Sequence, residues 1–482
     1  MHTVATPKDH RRLVEAHLHD VEQEVDADLQ LLSGRIPAGL DGVWWRNGPG
    51  RFGRGQTRYG HPFDGDGLIV RMDLGPNGAR VRTRFVRTPE LIAEEQAGRI
   101  LYRGFGTDRP GGFAANAFRF HFKNVANTSV TWHAGRLRAL WEGGAPTAID
   151  PSSLETLGLD DLGGVLRGRG LMPPTFSAHP RVDRTTGTLW NFGLRWGLRQ
   201  QLILYAIDAS GVARIERTLA LDHLTFIHDF AITPRWFVFL LPAVRFDVAR
   251  MALGLSAPAR SLRAVRDAPM IALLVPRDGG PPLRVPTVPG FVFHLAGAFE
   301  DDHGRIVCDA LRLDGVPDLS DLDSLFGAGR EGGLAEPLRL TIDPETRRVV
   351  QTHRLGDVAA ELPVTAAPAG QPYRSIWATA VAGGGRQPYH SSIVRFEPMN
   401  GVVARRDVFP AIASEPCFVR HPEPRHAEDG WILTVIHHPG AAAELWLLDA
   451  TTLDVLTRLG LPAALPPGFH GCWADRADVP GA

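Results

Sequence analysis

Histidine is the residue type in this chain that could hold a transition metal by convergence of distant side chains. Four of its 19 histidines, His179, His228, His294 and His470, lie in unrelated local settings beside apolar or small residues. Neutral imidazoles bind Fe, Zn, Cu and Ni alike, so the residue type leaves the metal open. The four are separated by 49, 66 and 176 residues, and no helical metal-binding signature joins them. They can meet only in a closed fold.

A repeated hairpin pattern predicts such a fold. In each copy, apolar residues alternate with other residues, and an Asp or Glu follows. A cluster of turn-forming residues and a second apolar alternation come next, which is typical of paired strands. The acids are Asp73, Asp150, Asp208, Asp278, Asp343, Glu397 and Asp449. Seven irregular units, each long enough for four strands, indicate an all-β propeller, with a large β-sandwich as the alternative. In a propeller the inner strands converge on one axis, where four histidines could face one ion.

Composition agrees with a turn-rich β protein and excludes other classes. The 482 residues include 52 Gly and 38 Pro, and the net charge of −1 gives no basis for nucleic-acid binding. Three cysteines without a Cys-x-x-Cys motif suggest reduced thiols and a cytoplasmic location. No signal peptide or membrane-spanning run is evident. We expect residues 1–482 to form a single domain, with residues 1–30 as an N-terminal arm.

Several motifs in order identify a family. They are Trp45 to Gly50, His61 to Gly67, Lys123 to Thr128, Ala139 to Gly144 and the four histidine segments. Together they span nearly the whole chain, which resembles the carotenoid cleavage oxygenases. The resemblance implies a seven-bladed β-propeller with a helical and loop dome over its top face. It also implies Fe(II) on the axis, held by His179, His228, His294 and His470.

The resemblance further implies three glutamates behind the histidines. Glu142 is expected to pair with His228, Glu361 with His294, and Glu415 with His470. A carboxylate that accepts the second ring N–H fixes the tautomer of a ligating histidine and raises its basicity. Each glutamate could otherwise be an ordinary surface residue.

The implied reaction is oxidative cleavage of a C=C bond by O₂, giving two aldehydes. No nucleotide-binding motif is present, and the chemistry requires only iron, O₂ and a dry tunnel. We expect an apocarotenoid substrate cut at the 15,15′ bond to give retinal. Trp141 stands where stilbene-cleaving members tend to carry Lys, which favours an apolar polyene, although Trp141 could be core packing. Trp141, Phe113, Phe118 and Phe293 are the candidate tunnel residues. A stilbene-cleaving dioxygenase is the alternative.

The sequence leaves alternatives for the role of residues 244–262 and for the class of the protein. Residues 244–262 combine apolar side chains with Arg245, Arg250 and Arg260, which fits a stretch lying on a bilayer or a helix packed on the dome. A non-enzymatic propeller that binds a partner, or a Ca²⁺-dependent propeller hydrolase, are the alternatives of other classes. Oligomeric state is not predicted.

Overall fold

The apolar alternations form antiparallel strands that assemble into seven sheets. The computed structural model describes residues 15–168, 173–196, 200–265, 268–316, 335–381 and 390–480. Each sheet has four or more strands in up-and-down order, and the sheets are the blades of a propeller. The predicted seven-bladed β-propeller is therefore confirmed.

The blades follow one another along the chain. From the axis outward, blade 1 contains Gly471–Asp475, Gly42–Arg51, Asp66–Gly75, Gly78–Phe85 and Asp26–Asp28; blade 2 contains Ser129–His133, Arg136–Leu140, Thr147–Ile149 and Thr156–Leu159. In the same direction, blade 3 contains Arg181–Asp183, Thr188–Arg195, Gln200–Ile207 and Ala213–Leu221; blade 4 contains Ala231–Ile232, Trp236–Leu241, Ile271–Pro276 and Leu283–Pro286.

The remaining blades have the same plan. Blade 5 contains Phe291–Glu300, Ile306–Leu313, Glu336–Asp343 and Arg348–Arg354; blade 6 contains Ala360–Thr365, Ile376–Ala380, Ser392–Glu397 and Gly401–Asp407. In blade 7, Ile412–Ala413 and Cys417–Arg420 both pair with Gly430–His437, which is followed by Glu444–Asp449, Val455–Gly460 and Gln30–Gly34.

The seven acids of the repeat occupy one structural position. Each lies at or near the end of its blade's third strand, where the chain turns into the fourth. Asp208 is typical, because its Oδ1 accepts hydrogen bonds from the backbone N–H groups of Ser210 and Val212. Such side-chain bonds to the following backbone are why Asp favours turns. The sequence pattern therefore marks the outer hairpin of each blade.

Hydrophobic cores lie between neighbouring blades. Seven clusters of buried residues each join two successive sheets around the ring. Trp44 of blade 1, for example, shares a core with Leu433 of blade 7, whereas Trp45 packs with Leu137 of blade 2. Adjacent residues of one strand point to opposite faces, so each sheet contributes to two cores.

Both ends of the chain close the ring. The strand Gly471–Asp475 is the innermost strand of blade 1, and Asp26–Asp28 is its outermost. The next strand, Gln30–Gly34, becomes the edge of blade 7. Residues 1–14 of the expected arm lie outside the described residues. The last residues of the expected arm are thus built into two blades, and the boundary at residue 30 stays a prediction.

Short helices and hairpins lie on the loops of blades 1 and 4. The helices are Pro89–Ala97, Gly112–Asn116, Val248–Ala252 and Pro258–Ser261, with 3₁₀ turns at Pro62–Asp64 and Arg476–Asp478. Two small hairpins pair Gly53–Arg54 with Thr57–Arg58 and Val244–Phe246 with Leu262–Ala264. Buried Arg103 joins the two groups of loops by donating to the carbonyls of Met251 and Ser256. Within the described residues, no helix is both long and apolar enough to cross a membrane.

Candidate metal centre

The four predicted histidines meet at the propeller axis. His179, His228 and His470 lie just before the innermost strands of blades 3, 4 and 1, and His294 lies within the innermost strand of blade 5. One nitrogen of each lies within 4.8 Å of the others. The Nε2 atoms of His179 and His228 are 3.0 Å apart, and those of His228 and His294 are 3.3 Å apart.

The opposite nitrogens of three of these rings contact carboxylates. Nδ1 of His294 lies 2.7 Å from Glu361 Oε2, and Nδ1 of His470 lies 2.7 Å from Glu415 Oε1. Nδ1 of His228 contacts Glu142 Oε1. Because an ionised carboxylate only accepts hydrogen bonds, Nδ1 carries the hydrogen and Nε2 is left with a lone pair. These pairs have the arrangement of outer partners in histidine metal sites.

Local backbone irregularities help to aim these side chains. The pairing register of the strand that carries His294 shifts between Val292 and Leu295. A second shift follows Glu361, where Leu362 has a φ of 55°. Such bulges redirect side chains and are frequent beside functional sites. The carboxylate of Glu415 is fixed differently, because its Oε2 accepts a hydrogen bond of 3.0 Å from the backbone N–H of Gly471.

The donor set fits a cation. Three Nε2 lone pairs face a common centre, and lone pairs about 3 Å apart repel unless a positive ion lies between them. Two nitrogens that bind one ion at about 2.1 Å each lie no more than about 4.2 Å apart. The separations of 3.0 and 3.3 Å are within that limit. Burial, together with the neighbouring His228, holds the pKa of His179 well below 6.5, so this ring is also neutral. The glutamates provide negative charge outside a neutral set of donors.

A cavity of about 290 Å³, the main cavity, lies over the histidines. His228, His294 and His470 form part of its wall together with Glu142 and Glu361. The rest is mainly apolar, and its aromatic members are Phe63, Phe105, Phe122, Trp141, Trp196, Phe226, Phe246, Phe293 and Phe469. An apolar cavity with a few convergent polar groups is typical of a site for an apolar ligand.

The predicted tunnel residues divide into two groups. Trp141 and Phe293 line the main cavity. Phe113 and Phe118 do not, and their assignment to the walls or mouth of a substrate tunnel stays a prediction. They lie on and after the short helix Gly112–Asn116, and 62% and 67% of their surfaces are exposed. Sequence reasoning missed Phe226 and Phe469, although each lies within two residues of a candidate ligand and that proximity was the available signal.

The acids of the segment Phe63 to Gly67 are satisfied by protein groups. Asp64 accepts hydrogen bonds from the backbone of Phe105 and Gly106 and from the Thr107 hydroxyl, which fixes a loop of the main cavity. Asp66 lies in a buried network with Arg54 and Lys123. The segment begins in a 3₁₀ turn, and its acids therefore stabilise the fold.

Comparisons with known proteins agree with this geometry. The family described as retinal pigment epithelial membrane protein (RPE65) matches residues 18–475. Apocarotenoid-15,15′-oxygenase of Synechocystis is 35% identical, over 94% of this chain and 94% of its own. Resveratrol cleavage oxygenase 1 of Aspergillus fumigatus is 28% identical, with 94% of each chain covered. The crystal structure of the cobalt-substituted Synechocystis enzyme superposes with a TM-score of 0.88 and 33% identity, covering 98% of this chain and 99% of that one.

Proposed function

This chain belongs to the family of RPE65 and the carotenoid oxygenases, and we propose that it cleaves a C=C bond of an apocarotenoid with O₂. The products are two aldehydes, and cleavage at the central 15,15′ bond gives retinal as one of them. The observation that supports this most is the convergence of four histidines, three of which line a mainly apolar cavity with many aromatic side chains. A metal held by these histidines would lie directly beside an apolar ligand in the cavity.

The metal in this proposal is Fe(II), held by His179, His228, His294 and His470. Iron held by these residues would supply the redox chemistry by which O₂ splits the double bond. Four neutral donors leave the ion its full positive charge, and Glu142, Glu361 and Glu415 offset that charge from outside. No general acid or base is assigned, because the reaction moves no proton that requires one.

The main cavity orients the polyene and excludes water. Nine of its lining residues are Phe or Trp, so a flat conjugated chain can be held by ring faces and edges. Phe226 and Phe293 lie with ring centroids 6.1 and 5.4 Å from that of His228, which fixes apolar surface beside the candidate metal. These rings exclude water beside the candidate metal, which limits side reactions of oxygen species.

Trp141 favours the polyene over a phenolic stilbene. It lines the main cavity next to Glu142 and brings no cationic group that would bind a phenol oxygen. A stilbene-cleaving enzyme is the second candidate, favoured by the similarity to the resveratrol-cleaving relative. The two candidates make opposite predictions for the same assay.

The test is a substrate panel with the iron-loaded protein. All-trans apocarotenals and apocarotenols should be cleaved with Fe(II) and O₂ alone, without nicotinamide or 2-oxoglutarate, and mass analysis should identify retinal. Under ¹⁸O₂, with exchange controlled, both aldehydes should carry label. Turnover of hydroxystilbenes with none of apocarotenals would replace the substrate assignment. Full activity in a strictly iron-free preparation would refute the metal assignment.

An apolar substrate also requires a route from lipid. We propose that the dome, meaning the loops of blades 1 and 4 that carry the short helices, touches a membrane. Phe113, Phe118, Val248, Leu253 and Leu255 are exposed large apolar residues, and together they form the dome patch. Its two halves are in contact, because the N–H of Phe118 donates to the carbonyl of Ala252. Phe246 and Pro258 belong, like Val248, to the segment 244–262, and both line the main cavity. The patch thus lies beside a wall of that cavity.

A further inference from the structure

A second, much smaller cavity adjoins the main cavity. This side cavity has a volume of about 20 Å³ and shares Pro49, Ser414 and Gly468 with the main cavity. That volume is enough for about one water-sized group. Its polar lining includes Arg46, Ser414 and His437, and apolar side chains such as Met72 and Leu465 complete the wall.

The hydrogen bonds around His437 determine whether the Ser414 hydroxyl donates to a further group or accepts from it. Nδ1 of His437 lies 2.8 Å from the carbonyl oxygen of Leu465, which only accepts, so Nδ1 carries the hydrogen. Burial lowers the pKa of His437 to about 3, so the ring is neutral and Nε2 has a lone pair. Ser414 Oγ lies 2.8 Å from Nε2 and therefore donates its hydrogen there. The hydroxyl of Ser414 can only accept a hydrogen bond from anything else.

Arg46 supplies the complementary donors. It is 3% exposed, and its Nη2 donates to the carbonyl of Phe469 at 3.1 Å. Its Nε and Nη1 have no hydrogen-bond partner among the described residues. Burial lowers the pKa of Arg46 to about 10, which leaves the guanidinium charged at neutral pH. An unpartnered donor in a buried site is costly unless a ligand or water accepts its hydrogen bond.

We propose that the side cavity binds a hydroxyl group of the substrate. A hydroxyl oxygen accepts from Arg46 while its hydrogen is donated to Ser414, so one small group satisfies both. An aldehyde oxygen accepts but donates nothing, so it leaves the accepting lone pairs of the Ser414 hydroxyl unused. This inference rests on the proposed function and deepens it: the preferred apocarotenoid carries a hydroxyl, either at the end of its chain or on its ring.

Three probes with one carbon skeleton test the site. They are a polyene aldehyde with an unsubstituted ring, the corresponding alcohol, and the aldehyde with a ring hydroxyl. Equilibrium binding is followed by quenching of tryptophan fluorescence, since Trp141 and Trp196 line the main cavity; kcat and KM are measured in parallel. The wild type should bind one hydroxylated probe roughly tenfold more tightly than the plain aldehyde, as expected for one or two buried hydrogen bonds. The hydroxylated probe that binds more tightly shows whether the bound hydroxyl lies at the end of the chain or on the ring.

Ser414→Ala should reduce that preference to about twofold or less, mainly through Kd and KM. Ser392→Ala is the matched control, because Ser392 is a buried serine that lines neither cavity, and it should keep the preference. Equal binding of all three probes by the wild type, or an undiminished preference in Ser414→Ala, would overturn the inference. If the variant does not fold, the wild-type ratio decides. If no probe is cleaved, the proposed function fails while the binding ratio still tests the side cavity.

Discussion

In His228, His294 and His470, the ring nitrogen that faces away from the cluster determines whether the opposite nitrogen can bind a cation. Each contacts a glutamate, and the contact sets the tautomer that leaves Nε2 free to bind a cation. Burial works against the charge of Glu415, but His470 and the nearby Arg46 hold its pKa below 4.5. The carboxylate is therefore ionised at neutral pH and keeps the hydrogen on Nδ1.

Replacing these carboxylates with amides should weaken the metal site without unfolding the protein. Glu142→Gln and Glu415→Gln should each lose roughly 10–100-fold in iron affinity or in kcat/KM, the usual effect of removing an outer partner of a ligand. Iron content and kinetics are measured on the same preparations. Glu444→Gln is the control, since Glu444 is equally well paired, with Arg458 and Trp446, but lies away from the axis. Wild-type values in both glutamine variants would refute the assignment.

Buried neutral histidines should make the protein sensitive to acid. Burial lowers the pKa of His437 to about 3 and that of His390 to about 4, whereas both would be near 6.5 in the unfolded chain. Below pH 6.5 the unfolded chain therefore binds protons that the folded protein does not. Stability is full above that pH and falls toward pH 4, by about 1.4 kcal/mol per pH unit for each group.

His437→Gln removes one of these groups and should reduce the slope of stability against pH. Urea unfolding between pH 7 and pH 4.5 gives the free energy of unfolding at each pH. The variant should lose less stability than the wild type on acidification, by about 2 kcal/mol at pH 5. The exposed residue His303 provides the control, and His303→Gln should follow the wild type. Parallel curves for the wild type and His437→Gln would contradict the prediction.

Among the structural elements, the dome differs from the blades in its surface. The blades also expose large apolar side chains, such as Val212 and Met399, but the dome patch gathers five of them on two loops that contact each other. Arg245, Arg250 and Arg260 are exposed on the same segment. Apolar side chains beside cations are the composition of surfaces that bind anionic bilayers.

Acidic substitutions in the dome patch should therefore reduce vesicle binding. Leu253→Asp with Leu255→Asp should abolish flotation with vesicles of phosphatidylcholine and an anionic lipid, and should slow cleavage of vesicle-borne substrate more than cleavage in detergent. Wild-type binding should weaken with salt, because the cations contribute to it. Val212→Asp, at an exposed valine in a hairpin of blade 3, should float like the wild type. Flotation unaffected by the double change would leave the segment as dome packing.

The same contrast explains what the sequence could predict. Blade hairpins repeat, so Asp208 and Asp343 have equivalent environments, and the seven units are visible as a pattern. The dome has no repeat, and nothing local distinguishes Phe118, which faces solvent, from Phe105, which lines the main cavity. That difference depends on Asp64, which holds the loop of Phe105 from 41 residues away. Alternation with a period of two residues predicts the blade strands, whereas contacts between distant loops can be found only from the structure.

For the whole molecule, the axis is where separate blades act together. The four histidines belong to blades 1, 3, 4 and 5, and His470 lies next to the strand with which the C-terminal end closes the ring. The blades otherwise contact mainly their neighbours through the cores between sheets. A cation at the centre would cross-link blades that are not adjacent. Metal binding should therefore stabilise the closed ring and not only the site.

Metal removal should accordingly lower the thermal stability of the entire propeller. A ligand that binds only the folded state adds about 4 kcal/mol when present at a thousand times its Kd, so iron reconstitution under anaerobic conditions should raise Tm. Calorimetry of the iron-free and reconstituted protein measures the shift, and stripping with a chelator should reverse it. His294→Ala, which removes a ligand from blade 5, should eliminate most of the shift, whereas His303→Ala, an exposed histidine of the same blade, should retain it. An equal shift in both variants would mean that iron binds elsewhere, and the axis would then serve only as packing.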